Sequence, residues 1–112
     1  MTDCVFCRIG SREIPASVAW EDEEFLAFQD LNPMAPVHVL VIPKQHIATL
    51  MEITDVGLLG RAMLAVQQVA RVLGISEHGF RVVANIGDDG GMTVGHLHFH
   101  LLGGRQMHWP PG

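Results

Sequence analysis

Basic residues are scarce in this chain. Seven Lys and Arg are scattered among twelve Asp and Glu, for a formal net charge of −5 with histidine neutral. A nucleic-acid duplex is held by a stripe of cationic side chains. No such stripe is present, so no nucleic-acid partner is expected. Cysteine is nearly absent as well, at Cys4 and Cys7 only; in a reducing compartment these are not expected to form a structural disulfide. No apolar run approaches the length of a membrane span, so no membrane partner is expected. The opening Met1-Thr2-Asp3-Cys4 carries neither a basic region nor an apolar core of the secretory kind. The cytoplasm is therefore the expected location. There is no repeat, low-complexity tract or linker. Hydrophobic residues make up 48% and charged residues 17% of 112, which fits one globular domain spanning residues 1–112.

What the chain does have is histidine, concentrated in Gly95-His96-Leu97-His98-Phe99-His100-Leu101-Leu102. Read as a strand, this stretch sends His96, His98 and His100 to one face and Leu97, Phe99 and Leu101 to the other. A single histidine in a strand is ordinarily structural. Three on one face pack poorly but offer groups that accept, donate or ligate near neutral pH. Two chemistries fit: a metal site, or nucleophilic catalysis by one imidazole with the others orienting it and handling protons.

The rest of the chain alternates short strands with one long helix. Val18-Ala19-Trp20 and Phe25–Gln29 read as paired strands around an acidic turn, Glu21–Glu24, taken as a solvated hairpin tip. A loop with two prolines, Asp30–Pro36, follows. His38–Pro43 is an apolar strand that opens on a histidine. Lys44-Gln45-His46-Ile47 is a turn into helix. Leu58, Leu59, Ala62, Met63, Val66, Val69, Ala70 and Leu73 recur at intervals of three and four, which predicts an amphipathic helix from Asp55 to Leu73. Thr54 or Asp55 can cap it and Gly74 can end it. Phe80–Asn85 is a further strand, and the glycine-rich Gly87–Gly95 leads into the histidine stretch. Its glycines let backbone N–H groups approach an anion, although the plainer reading is a hairpin connection. The expected fold is α+β: an antiparallel sheet of about five strands with one long and one short helix. The pair Cys4-Val5-Phe6-Cys7 reads as half of a zinc site in need of two more ligands, or simply as two small core residues. The apolar tail Met107-His108-Trp109-Pro110-Pro111-Gly112 is expected to dock, with a second subunit as one candidate.

These motifs together resemble a known family. His96-Leu97-His98-Phe99-His100-Leu101-Leu102 matches the histidine-triad signature. Further matches are Glu13-Ile14-Pro15-Ala16, Phe28 to Asp30, Ala35-Pro36, His38, Val41-Ile42-Pro43-Lys44, Asp89-Gly90-Gly91 and Leu102 to Gly112. The chain is similar over nearly its whole length to the HINT branch, the histidine triad nucleotide-binding proteins.

The resemblance implies a HIT-like fold, a homodimer and a purine nucleoside phosphoramidase, which cleaves the P–N bond of nucleoside 5′-phosphoramidates through a nucleotidyl-histidine intermediate. Carried over by position, His98 is the nucleophile and His38, His96 and His100 flank the phosphate. Asn85 and Thr93 contact phosphate or leaving group, beside Gly91; family members often have serine where Thr93 stands. Asp30 takes the ribose hydroxyls. Val5, Phe6, Ile9, Phe28 and Leu31 form the base pocket, and Trp109 reaches the partner subunit's site. Some members bind structural zinc through residues matching Cys4, Cys7, His46 and His96, and no catalytic metal is implied. If zinc takes His96, that residue holds the strand and carries no proton. The rivals are a dinucleoside polyphosphate hydrolase of the same superfamily, a metal-dependent hydrolase, and a non-catalytic nucleotide-binding regulatory dimer. The Trp109-Pro110-Pro111-Gly112 ending favours the HINT branch over the first of these.

Overall fold

Side chains that alternate between two covered faces build the centre of the molecule. In the computed structural model, which describes residues 3–112, β1 is Val18–Glu21, β2 Phe25–Gln29, β3 Val37–Pro43, β4 Phe80–Val83 and β5 Phe99–Gly103. They form one antiparallel sheet in the order β1-β2-β3-β5-β4. Phe25, Ala27, Val39, Val41, Phe99 and Leu101 point to one face and join the main core. Leu26, Phe28, Leu40 and Ile42 point to the other and form a smaller core. β3 and β5 are central, so both faces of β3 are buried, as expected of a strand covered on both sides.

The two faces are covered unequally. The long helix, α2 (Val56–Val72), lies over the main core and buries Ala62, Ala65, Val66, Val69 and Ala70. The Asp55 side chain caps it by accepting from the Gly57 N–H at 2.9 Å. It stops at Gly74, whose φ of +72° glycine adopts without strain. The apolar stripe differs from the sequence expectation at one place: Met63 is 41% exposed, and Ala65 is buried instead.

The opposite face receives α1 (Val5–Gly10), which seats Phe6 and Ile9 on the smaller core, with Ile14, Ala16 and Val94 packed beside them. This is the short helix. Lys44–Ile47 is followed instead by an extended segment and a single 3-10 turn, Leu50–Glu52.

Two boundaries and one turn depart from the sequence reading. Regular pairing of the histidine stretch begins only at Phe99, opposite Val41. Beyond that point β3 ends in Pro43, which has no N–H to offer a ladder, and the Leu97 N–H bonds the Ile47 carbonyl instead at 2.7 Å. Leu97 is nonetheless buried in the same core as Phe99 and Leu101, so the alternation continues through the unpaired lead-in. β4 stops at Val83, not Asn85, because the Asn85 side chain turns to bond the Gly90 carbonyl at 2.6 Å. The acidic turn is more than a solvated tip: Glu21 pairs with Lys44 and Arg12, and Glu24 pairs with Arg61 on α2.

Candidate active site and metal centre

Register brings two distant histidines together. His38 on β3 lies opposite Leu102, and Leu40 opposite His100. His38 and His100 are therefore diagonal neighbours on the α1 face of the sheet, and their nitrogens, Nε2 and Nδ1, are 2.9 Å apart. The protons on this pair follow from one backbone contact. The Met34 N–H donates to His38 Nδ1 at 3.0 Å. His38 therefore carries its proton on Nε2 and donates it to His100 Nδ1, and the His100 proton sits on Nε2. Asp30 Oδ2 lies 3.4 Å from His38 Nε2, while Asp30 Oδ1 accepts the Asn32 N–H at 2.8 Å. Burial, with His98 and His38 adding to it, holds His100 down to a pKa of about 4. It is a neutral ring throughout the physiological range.

His98 is oriented by its own chain. Its Nδ1 lies 2.8 Å from the His96 carbonyl, so Nδ1 carries the proton and Nε2 keeps a free lone pair. The ring is otherwise enclosed by Phe6 and His100, edge-on at centroid distances of 5.2 and 5.0 Å.

A cleft of about 490 Å³ opens over these residues. Val5, Phe6, Ile9, Phe28 and Leu31 lie along its apolar side, and Asp30, Asn85, Gly91, Thr93, His98 and His100 also line it. Leu31 is fully exposed and stands at the rim. His38 is buried behind His100. Trp109 is 81% exposed and does not line the cleft of its own chain. The glycine loop that forms one edge is tightly built. A Cβ on Gly90 would stand 2.3 Å from the Ile86 carbonyl oxygen, and Gly91 has a φ of +74°. Ile14, Leu40 and Val94 also line the cleft, unforeseen from the sequence. Leu40 was legible, two residues after His38 on one face of a strand; Ile14 and Val94 lie in irregular segments with no periodic signal.

His96 faces elsewhere. It is fully buried, with its Nδ1 at 3.2 Å from Cys4 Sγ and 3.4 Å from Cys7 Sγ. Its Nε2 donates to the Pro43 carbonyl at 2.8 Å. His46 Nδ1 is 3.2 Å from Cys7 Sγ. The four donor atoms of Cys4, Cys7, His46 and His96 all lie within 4.8 Å of one another. Tetrahedral zinc with bonds of about 2.0–2.3 Å needs ligand atoms roughly 3.3–3.8 Å apart, so only small shifts separate this cluster from a closed site. Two thiolates and two neutral imidazoles match the charge of the ion. The bond to Pro43 is the outer contact that ordinarily fixes a ligating imidazole, and burial lowers the His96 pKa, favouring the neutral ring that a metal requires. A second group, Asp30, His38 and His100, also has its donor atoms within 4.8 Å.

Similarity to known proteins points the same way. A family model described as the HIT domain matches residues 11–107. An uncharacterized HIT-like protein of Synechococcus elongatus is 54% identical, covering 98% of this chain and 97% of the relative. A protein of Brassica juncea named as a 14 kDa zinc-binding protein is 45% identical, covering 98% and 100%. Among solved structures, a HIT family hydrolase from Legionella pneumophila superposes with a TM-score of 0.94 at 49% identity, covering 98% of this chain and all of that one. A histidine triad protein from Clostridium difficile superposes at 0.91 with 42% identity, covering 96% of each.

Proposed function

The chain belongs to the HIT domain family, and from that footing we propose that it is a hydrolase of purine nucleoside 5′-phosphoramidates, acting through a nucleotidyl-histidine at His98. The observation that carries this reading is the bond from His98 Nδ1 to the His96 carbonyl. It presents Nε2, unprotonated, in a cleft that also offers neutral N–H and hydroxyl groups.

In the first step, the Nε2 lone pair attacks phosphorus and the P–N bond breaks. The leaving nitrogen takes a proton, relayed from water by the Thr93 hydroxyl, and the amine departs. His98, still protonated on Nδ1, is left as a cationic phosphoryl-imidazolium. In the second step, water attacks phosphorus, the Nε2–P bond breaks, neutral His98 is restored and a proton returns to solvent. The net reaction adds one water and yields nucleoside monophosphate and amine. His100 Nε2–H, held in place by His38, donates to the nonbridging oxygens where charge builds up, as do N–H groups of the glycine loop. Asp30 accepts from the ribose hydroxyls, and the apolar side of the cleft takes the base.

Zinc at Cys4, Cys7, His46 and His96 supplies structure, and His96 then has no proton to move. A homodimer, with the partner subunit's Trp109 completing the substrate site, belongs to the same reading, as does a cytoplasmic location.

The test is release of AMP from adenosine 5′-phosphoramidate, after brief chelation of parent and His98→Ala alike. Steady turnover in the parent and a loss of several orders of magnitude in the variant is the expected result. No turnover by a folded, AMP-binding parent would sink the phosphoramidase reading. Turnover that vanishes on chelation even at saturating substrate, with the fold intact by circular dichroism, and returns with added metal would point to Asp30, His38 and His100 as a catalytic metal site instead.

A further inference from the structure

α1 has too few residues to hold itself. It is six residues long, and helices shorter than about 12–15 residues are marginal in water. Its N-terminal end is where the candidate zinc ligands sit. Cys4 is the N-cap residue, its Sγ accepts from the Cys7 N–H at 3.4 Å, and Cys7 lies in the first turn. Both thiols converge on His96 Nδ1, and His46 closes the group from the segment after β3. A metal bound there ties the start of α1 to two separate parts of the chain.

The same helix supplies one wall of the cleft. Val5, Phe6 and Ile9 line it. Phe6 makes the closest link between the two sites. Its ring stands edge-on to His96 at 5.9 Å, to His98 at 5.2 Å and to Phe28 at 5.6 Å. One side chain thus touches a metal ligand, the nucleophile and the base pocket.

We infer that metal binding at Cys4, Cys7, His46 and His96 and nucleotide binding in the cleft are reciprocally coupled through the docking of α1, with Phe6 as the positioning residue that links them. The inference rests on the nucleotide-binding reading above. Released from the metal, α1 loses its N-terminal anchor and the cleft wall loosens. A nucleotide that presses its base on Val5, Phe6 and Ile9 favours the docked helix, and the docked helix holds the thiols at the metal. Linkage requires the two effects to be equal in size.

The experiment titrates AMP into the zinc-loaded and the chelated protein by calorimetry. Zinc affinity is then measured against a chelating indicator, with and without saturating AMP. AMP is expected to bind about tenfold more tightly with zinc present, within the usual range for coupled sites. AMP should tighten zinc by the same factor. In Phe6→Leu, which keeps all four metal ligands, zinc should bind at full stoichiometry while the coupling factor falls toward one. AMP affinities equal within about twofold with and without zinc would overturn the coupling. So would a factor that survives Phe6→Leu, because the metal would then act through folding as a whole; circular dichroism of each form tracks that folding. If the zinc-loaded protein binds no AMP, the nucleotide reading fails and takes the inference with it, whereas AMP binding indifferent to zinc defeats the coupling alone.

Discussion

Backbone groups decide which nitrogen each cleft histidine offers. The Met34 N–H sets His38 and through it His100, and the His96 carbonyl sets His98. The burial that keeps His100 neutral has a consequence for stability. Its folded pKa of about 4 lies below the roughly 6.5 of an unfolded histidine. On acidification the unfolded chain takes its proton first, so this residue's contribution to stability is complete above about pH 6.5 and is lost as pH falls toward 4. The urea midpoint should therefore drop less between pH 7 and pH 5 in His100→Asn than in the parent. An equal drop in both would show that His100 does not titrate this way. Gly90 is a second test at this scale. With a Cβ 2.3 Å from the Ile86 carbonyl oxygen, Gly90→Ala must push the loop aside. It should cost about 1–3 kcal/mol in urea unfolding and lower kcat as well, since the loop edges the cleft.

Among the elements, the long helix was the most legible in the sequence. Its period, cap and terminal glycine placed it within one residue of its observed ends. Asp55→Ala removes the cap and should cost about 1 kcal/mol with kcat unchanged; a loss of turnover would tie α2 to the chemistry, contrary to its place on the other face of the sheet. α1 was not legible as a helix. Six residues hold less than two full turns, too few to show a period, and it owes its place to contacts with residues about ninety positions away. The start of β5 was misread for a related reason. The alternation of His96 to Leu101 is real, but pairing depends on what β3 offers as a partner, and Pro43 offers no N–H. The ion pairs of Glu21 and Glu24 reach Arg12, Lys44 and Arg61; spacing along the chain carries no trace of them. Cys4 and His46, 42 positions apart in the chain, became a set only through resemblance to a family, since neither stretch alone names its partner.

At the scale of the whole molecule, the sheet separates two duties. α2 and the main core lie on one face, and the cleft and α1 on the other. Met63 and Leu64 on α2 and Val82 on the edge strand β4 are among the exposed apolar residues, and the proposed homodimer would cover them. Light scattering is expected to give about twice 12.3 kDa. Val82→Lys, by placing a charge on the unpaired edge, should shift the mass toward the monomer and lower turnover, if Trp109 serves the partner's cleft. A parent that runs as a monomer would end that part of the reading.

Three polar groups of His96 point to three different places: Nδ1 to the thiols, Nε2 to Pro43, and the carbonyl to His98. In terms of descent, a metal held there would make positions 4, 7 and 46 one inherited unit. A lineage that loses one cysteine loses the reason to keep the other and His46. It has reason to retain His96 all the same, since that buried ring still bonds the Pro43 carbonyl. Drift in such a lineage should strip Cys4, Cys7 and His46 together and leave His96, His98 and His100 in place.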